Sequence, residues 1–490
     1  MSYQNPHAAS TDVEKGASTA PSVPALVPCP DYQATYTVAG ICAPGEAGAP
    51  ASKVQGVEEI LARVRLHMPL HIRCAPGCAT SGEQYHFMLT CIRALTYLLM
   101  QSRFLGEHVN GYGMHQNPAH VPEDCTLAEW EFDPEGVLPV NHFEHVAETS
   151  FELPLDSEEL FFVSHGSSNM ANGVIEISNS GEPGADIVKV DVLGYFNSQH
   201  HFEELTKVCQ LRPDDGKDGV GIFAPRQWNG HDHRHRMQFR IHVRLPPSSD
   251  GSVVTVNKLS TELPTFVHHV GDLKDTIHFK ELSLSTRNTP VHVHSIVADA
   301  ASVRSTNGII DGHFNTSHTL DLQTSNGPIS VVLGLFNDNA GEATKARLQT
   351  TNGPINTNVS LFSTTSSGTG GLFDVNAHSS NSPVRVVLPY APAEHVLALA
   401  ARTSNSPVDL VLHPRVRGQL RAARLALDLA TGAVDDGVVD PAGRGRRRQV
   451  QVNRISGADV SGSVAWLPAK QREYGSVVAS TSNMGVALYL

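Results

Sequence analysis

Apolar and polar residues alternate strictly over short stretches in the C-terminal half of the chain. Around a recurring Asn-containing motif, the residues four and six positions upstream of the Asn are Leu, Val or Ala, whereas the residue three positions upstream is polar. Three positions after the Asn, the chain always carries Val or Ile. A period of two with one apolar face predicts a half-buried β-strand on each side of the motif.

The motif reads TSNGP at 324–328, TTNGP at 350–354 and TSNSP at 403–407. It recurs at uneven intervals, which is typical of stacked repeats joined by loops of variable length. We therefore predict an all-β protein, a β-solenoid or β-helix-like repeat array. Its seven corner residues are Asn288, Asn307, Asn326, Asn352, Asn381, Asn405 and Asn483.

The residue types of the motif suit a corner between two strands of a coil. Asn tolerates left-handed backbone angles, Gly or Ser follows where the chain turns tightly, and Pro presets φ. If each coil stacks on the last, the asparagine side chains form a ladder with neighbours about 4.8 Å apart. We expect this ladder to be structural.

These repeated corners resemble the family known as the putative-adhesin domain, whose repeats carry TSNGPI-type corners, and the fungal branch is the closer match. Further likeness comes from IHVRLP (241–246), ELPTF (262–266), LHP (412–414) and the terminal STSNMGVALYL (480–490). The resemblance covers residues 150–490. It implies the solenoid fold but no defined activity, because the function of that family is largely unassigned.

Composition divides the chain into four regions. Residues 1–50 are rich in Ala, Pro, Ser and Gly and are predicted to be disordered. Residues 51–150 form a poorly defined segment that contains Cys and His and lacks the repeat, and residues 151–254 form a β-rich entry to the array. The solenoid is predicted over 255–490, with an insertion at 413–475 that accounts for the longest gap between motifs.

Charge and hydropathy exclude some partners. The 490-residue chain has a formal net charge of −13, so we expect no nucleic-acid partner. Its apolar run Phe87–Met100 is too short to span a bilayer, and we predict no membrane span. The N-terminus lacks a basic segment followed by an apolar one, so the cytoplasm is the default location. All seven cysteines precede residue 210, which agrees with a reducing compartment and excludes a disulfide framework for the repeats.

Two segments carry metal-ligating side chains at close spacing. In the first, a proline between the ligands argues against one helix, so chance is the favoured interpretation. In the second, the histidines fall on the same side of the alternating pattern as the apolar core residues that follow them. A loop that leads into a strand is therefore the favoured interpretation. The residues concerned are His67, His71, Cys74 and Cys78 in the first segment and His231, His233 and His235 in the second.

A further metal candidate follows from the repeat register. His292 and Asp311 each stand four residues after their corner Asn, and His294 and His313 each stand six residues after it. Stacked coils would place each pair on adjacent strands. If ELPTF is an earlier corner, His268 extends the same column. Imidazoles and a carboxylate on neighbouring strands could bind a divalent transition metal or sense pH; the alternative is that histidine merely tolerates a wet strand face.

A basic run, GRGRRR at 443–448, precedes a segment at 449–466 that is predicted to be a hairpin turning near residues 456–459. Such a run can be an import signal or a polyanion contact. The favoured alternative is a solvated loop at the base of the hairpin.

No catalytic signature is present, since the chain lacks G-x-S-x-G, H-E-x-x-H, a P-loop and a dinucleotide fingerprint. The predicted outward acids Asp311, Asp321 and Asp409 do not cluster. We therefore expect a non-enzymatic adhesin-like binding or scaffold protein that presents Ser, Thr and Asn to a glycan or protein surface and needs no cofactor. The alternative is a carbohydrate-active β-helix enzyme of the lyase or hydrolase type, which would need clustered carboxylates.

Overall fold

The computed structural model describes residues 121–140, 142–226, 236–423, 439–440, 443–456, 459–467 and 475–490. These residues belong to the unit Gly111–Leu490. Regions 1–50 and most of 51–150 lie outside the described residues, as do the apolar run Phe87–Met100 and both Cys- and His-rich metal candidates. The described helix is too short to cross a membrane, and none of the described segments forms a helix long and apolar enough to do so.

The described residues form 26 strands and the helix α1 (Gln199–Leu205). The strands, in chain order, are β1 (Cys125–Leu127), β2 (Glu131–Phe132), β3 (His145–Pro154), β4 (Glu159–His165), β5 (Gly173–Ser178), β6 (Ile187–Phe196), β7 (Lys207–Leu211), β8 (Lys217–Phe223), β9 (Met237–Arg244), β10 (Val254–Glu262), β11 (Phe266–Asp272), β12 (Ile277–Ser285), β13 (Val291–Arg304), β14 (Ile310–Gln323), β15 (Ile329–Asn337), β16 (Thr344–Thr350), β17 (Ile355–Ser363), β18 (Leu372–Ser379), β19 (Val384–Tyr390), β20 (Val396–Thr403), β21 (Val408–Val411), β22 (Gly418–Ala423), β23 (Arg447–Ser456), β24 (Asp459–Leu467), β25 (Gly475–Thr481) and β26 (Val486–Tyr489).

The all-β solenoid predicted from the alternation is confirmed. Each coil enters its corner from one strand and leaves it on another, and equivalent strands of successive coils pair in parallel. Buried and exposed residues alternate along these strands, as β16 and β17 illustrate. Because every coil contributes one apolar side of two strands, the coils enclose a continuous core of residues such as Phe279 and Phe314.

The coils build two faces. Strands that precede a corner form the first face, in the order β8, β4, β10, β12, β13, β14, β16, β18, β20 and β25, and β22 from the insertion pairs with β25 at the end of this face. Strands that follow a corner form the second face, in the order β9, β5, β11, β13, β14, β15, β17, β19, β21 and β26. The long strands β13 and β14 bend from the second face into the first, so they belong to both.

The coil order departs from the chain order at the N-terminal end. Strands β4 and β5 lie between the coil of β8 and β9 and the coil of β10 and β11. The chain therefore completes one coil, adds a second on one side of it and then continues on the other side. As a result, strands of the entry segment at 151–254 pair directly with strands of the repeats at 255–490, as β4 does with β10 and β5 with β11.

Antiparallel strands cover the first coils. β6 pairs with both β3 and β9, and Phe196 on β6 stacks on Phe202 of α1 with ring centroids 4.4 Å apart. A disulfide joins Cys125 of β1 to Cys209 of β7. The odd number of cysteines and their clustering before residue 210 did not predict this pairing, which ties together two of the described strands.

In its described residues, the insertion at 413–475 contains β22 in addition to the two strands of the predicted hairpin. β23 and β24 form the predicted hairpin, with Ser456 opposite Asp459. β22 pairs with β24 on one side and with β25 on the other, so the insertion extends the first face beyond the last coil. The final strand β26 pairs with β21 and therefore ends the second face only.

Candidate functional site

The seven motif asparagines stand in one column on the outside of the corners. From Asn307 onward, each Nδ2 donates a hydrogen bond to Oδ1 of the asparagine one coil earlier, which gives six bonds over distances of 2.5 to 2.7 Å. The amides form a continuous ladder from Asn288 to Asn483, and all seven residues are exposed. Such a ladder fixes the register of successive coils, because a shifted coil would lose both of its side-chain bonds.

The backbone reason expected for asparagine is wrong. Among the described residues other than glycine, left-handed φ angles occur at Asp133, Asn339 and Glu394. None of the motif asparagines adopts this conformation. Asparagine instead suits the corner because its side chain carries both a donor and an acceptor, which a stacked ladder needs at every step.

Beneath the ladder lies a column of buried Thr and Ser hydroxyls two residues before each asparagine. Thr350 Oγ1 accepts a bond from the Gly353 N–H at 3.1 Å and donates to the Gly327 carbonyl of the previous coil at 3.2 Å. Its side chain is buried. The hydroxyl thus satisfies a donor within its own corner and an acceptor in the preceding corner, neither of which can reach water readily.

We expect Thr350→Val to lower the free energy of unfolding by about 1–3 kcal/mol, because valine keeps the shape but leaves two buried backbone groups without a partner. Chemical denaturation measures this change. Thr351→Val is the matched control, since Thr351 is the exposed neighbour of Thr350 and should change stability by less than about 0.5 kcal/mol. Equal effects of the two substitutions would contradict the buried-hydroxyl role.

On the outward side of the second face, strand register aligns His242, Glu176, His269, His292 and Asp311 in one column. The His269 and His292 rings stack with centroids 5.2 Å apart, and His292 Nδ1 lies 2.8 Å from Asp311 Oδ2. These side chains border an open cavity of about 420 Å³. The pair His292–Asp311 predicted from the repeat register is therefore brought together.

Glu176, the second residue of the column, is held in a fixed ion pair. One guanidinium nitrogen of Arg240 donates to both carboxylate oxygens of Glu176, at 2.9 and 2.8 Å. Next to it, His242 Nε2 lies 2.9 Å from the Ser178 hydroxyl, and burial lowers the pKa of His242. Burial thus favours the neutral form of His242, in which the ring acts as a hydrogen-bonding group.

His294 and His313 do not extend this column. Val293 pairs with Gly312, but Ile296 pairs with Phe314 and not with Asn315, so a bulge interrupts the register of β13 and β14 where His294 stands. His313 pairs with Val332 on the next strand instead. Both histidines are exposed. Their equal spacing from the corners did not reveal the bulge, because a bulge changes the pairing without changing the sequence interval between corners.

His268 also lies elsewhere than expected. It pairs with Val291 and points into the core, fully buried, while its neighbour His269 takes the outward position beside His292. Its Nδ1 donates to the Phe266 carbonyl at 3.0 Å, and its Nε2 accepts from the Thr261 hydroxyl at 2.8 Å. Burial lowers the pKa of His268 to about 4, which keeps it neutral as a satisfied core residue.

The metal hypothesis therefore depends on fewer ligands than expected. Within the described ranges, no group of three or more His, Cys, Asp or Glu side chains is arranged to hold a metal ion. The residues His292 and Asp311 supply two potential ligands, whereas a stable transition-metal site usually needs three or four from the protein. The structure therefore does not provide a preformed metal-binding site in the described residues.

A column of aromatic residues that sequence reasoning missed lies on β15, β17 and β19 of the second face. Phe336 stacks on Phe362 with centroids 4.9 Å apart, and Phe362 stacks on Tyr390 at 5.2 Å. The guanidinium of Arg415 lies 5.8 Å from the Tyr390 ring centre. A signal was available, because Phe336 and Phe362 each stand ten residues after a corner asparagine. Tyr390 stands nine residues after its own, in agreement with a register shift between β17 and β19.

The basic run is not a simple solvated loop. Arg446 forms two hydrogen bonds of 3.0 Å to the buried carboxylate of Asp440, and Arg444 contacts Glu394 at 2.8 Å. Arg446 also lies over the Trp466 ring, with 5.9 Å between its guanidinium carbon and the ring centre. Arg444 and Arg446 therefore form ion pairs within the protein, whereas Arg447 is exposed.

Neither a protein-family model nor a curated protein matches this chain. Solved structures give distant likenesses. A putative adhesin from Bacteroides fragilis shares 9% identity, covering 54% of this chain and 96% of that protein, with a TM-score of 0.28. A putative cell adhesion protein from Clostridium sporogenes shares 7% identity, covering 70% and 97%, with a TM-score of 0.15.

A further likeness is to a protein from Parabacteroides distasonis described as a putative lipid binding protein. It shares 13% identity and covers 54% of this chain and 89% of that protein, with a TM-score of 0.21. Identities and TM-scores of this size do not assign a ligand or an activity, so the function has to be argued from the side chains of this chain.

Proposed function

We propose that this chain is a non-enzymatic, adhesin-like binding or scaffold protein that engages a glycan or protein surface through the outside of its second face. The observation that carries the proposal is the aromatic column Phe336, Phe362 and Tyr390, with Arg415 beside it. Tyr390 is 41% exposed, although tyrosine presents a large apolar ring. The corner motifs that resemble the adhesin-type repeat family agree with this role.

The column suits recognition for two reasons. Tyrosine, phenylalanine and arginine are the residue types most enriched at the centres of protein interfaces. The rings are also held by stacking across strands of a continuous sheet, so they lose little side-chain freedom when a partner binds. Neighbouring outward Ser, Thr and Asn residues would surround the aromatic contact with hydrogen-bonding groups.

The spacing of the carboxylates supports a binding role rather than glycoside cleavage. Glu176 and Asp311 share a column, but His269 and His292 lie between them. Three strand steps of about 4.8 Å place their backbones roughly 14 Å apart, beyond the roughly 5–9.5 Å that separates the carboxyl groups of most glycosidases. Glu176 is in addition held by Arg240 and Asp311 by His292.

We also infer an oxidising compartment in place of the cytoplasm expected from the sequence. The Cys125–Cys209 disulfide supports this inference, because such bonds persist outside the reducing cytosol. An adhesin-like role requires contact with an external surface, so the two inferences agree.

The test is binding of the labelled protein to immobilised cell-wall polysaccharides and to immobilised extracellular matrix proteins. We expect Tyr390→Ser to weaken the retained interaction by about tenfold, which equals about 1.4 kcal/mol. Val332→Ser is the matched control, because Val332 is a 40% exposed apolar residue that stands outside the column. Retention of full binding by Tyr390→Ser, or an equal loss in both variants, would contradict the proposed contact.

A further inference from the structure

The aromatic column stops abruptly at Phe336. One coil earlier, the position ten residues after the corner asparagine is occupied by Ser317 instead of an aromatic residue. Phe362 covers one side of the Phe336 ring at 4.9 Å, and the ring borders a cavity of about 360 Å³. The column therefore ends at a space that a ring of similar size could occupy.

A bulge shapes this space. Ala298 of β13 pairs with Thr316 of β14, whereas Ala300 pairs with Thr319, so Ser317 and His318 together face Asp299. Two residues opposite one push the strand outward and redirect side chains, which is the usual effect of a bulge next to a binding site. Here the bulge places Ser317 and His318 beside Asp299, and both Ser317 and Asp299 line the cavity.

Asp299 is the centre of the resulting hydrogen-bond network. Its Oδ1 accepts a bond from the Ser317 hydroxyl at 2.7 Å and lies 3.2 Å from His278 Nε2. The Ser317 oxygen also lies 3.0 Å from His318 Nδ1. Within the described part of the chain these contacts use Oδ1, so Oδ2 is left to accept hydrogen bonds from a ligand. The network holds the Asp299 side chain in place before anything binds.

We propose that this cavity binds the ring of a neutral saccharide, stacked on Phe336 and hydrogen-bonded to Asp299, His278 and Asn315. This proposal rests on the proposed binding function and names its ligand class. The face of a pyranose ring carries polarised C–H groups that pack against the electron-rich face of an aromatic ring. Its hydroxyls both donate and accept, which matches a set containing a carboxylate, an imidazole and an amide.

Other ligand classes fit the cavity less well. A purely apolar ligand would remove water from Asp299 Oδ2 without offering it a hydrogen-bond donor, at a cost in binding free energy. An anion would meet the Asp299 and Asp275 carboxylates, and a cation would meet Lys274, since all three residues border the same cavity. A neutral polyol avoids both conflicts. The volume of about 360 Å³ falls near the lower end of small-molecule sites, roughly 300–1,000 Å³, which suits a single sugar ring or the end of a chain.

The experiment is saturation-transfer NMR followed by calorimetry with a panel of soluble oligosaccharides of glucose, mannose, galactose and N-acetylglucosamine. We expect the full-length protein to bind at least one of them. Asp299→Asn and Phe336→Leu should each weaken that binding by at least tenfold, because the first removes the charged acceptor and the second removes the ring face. Asp374→Asn, at an exposed carboxylate on β18, should bind like the wild type.

Each outcome decides the proposal. Absence of binding for the whole panel at millimolar concentration, or equal affinities of the wild type and both site variants, would overturn it. A melting curve for each variant separates loss of binding from loss of folding, and the two variants change different contacts. A second arm with the same sugars in immobilised polysaccharide distinguishes a free ligand from a surface glycan. If Tyr390-dependent surface binding persists without any saccharide binding, this inference fails while the proposed function stands.

Discussion

Replacing Gly327 with alanine should lower the free energy of unfolding by about 3 kcal/mol, the upper part of the usual range for overpacking. The added Cβ would lie 1.9 Å from the carbonyl oxygen of Gly308 in the preceding corner. Gly353 stands in the same relation to Gly327, at 1.8 Å. These glycines have no left-handed φ, so close stacking of corners explains them better than turn conformation. Urea denaturation followed by circular dichroism measures the change.

Two variants serve as controls for this substitution. Gly271→Ala places a Cβ no closer than 3.4 Å to another residue and should change stability by less than about 1 kcal/mol. Gly327→Ser adds the same Cβ as Gly327→Ala but also a hydroxyl. Ser382 and Ser406 stand at the same corner position, and their hydroxyls donate to a carbonyl of the preceding coil, so Gly327→Ser should lower the free energy of unfolding by less than Gly327→Ala. An alanine variant as stable as the wild type would contradict the tight stacking of the corners.

Removal of the disulfide in Cys125→Ala/Cys209→Ala should lower the free energy of unfolding by about 2–4 kcal/mol. The bond joins residues separated by 84 positions and ties β1 to β7 at the N-terminal end of the first face. Its loss frees a long loop in the unfolded chain and loosens a short antiparallel strand in the folded one. Denaturation midpoints with and without a thiol reductant measure the effect.

The reductant provides the control for the disulfide. It should lower the midpoint of the wild type toward that of the double variant and leave the double variant unchanged. Mass spectrometry of the non-reduced protein should find the Cys125–Cys209 peptide pair. A wild type that contains free thiols at both positions, with the same midpoint in reductant, would contradict both the bond and the oxidising compartment inferred from it.

The sequence was sufficient to predict the features that repeat. Alternation around each motif predicts the strands, and the constant position of the asparagine predicts which residues share a corner. The same register predicts that His292 faces Asp311, because both stand four residues after the corner. These predictions succeed because a parallel ladder repeats one backbone geometry in every coil, so equal distance from a corner means equal position.

Features that break the repeat could not be predicted in the same way. Bulges beside His294 and beside Asp299 change the pairing within a coil, while the interval from Asn288 to Asn307 equals the interval from Asn307 to Asn326. A difference of one residue decides whether His268 or His269 faces outward, because side chains alternate between core and solvent. The disulfide joins β1 and β7, which come together only through the tertiary arrangement of the first coils. A local sequence pattern therefore could not predict it.

Binding without turnover is the central claim for this protein, and one measurement tests it directly. Full-length protein is incubated with each polysaccharide that retains it, and both the bound protein and the newly formed chain ends are quantified in the same sample, with divalent metal present and absent. The account predicts saturable retention of the protein and polysaccharide recovered at its original length. Release of shortened chains or new reducing ends in proportion to protein concentration and time would contradict it.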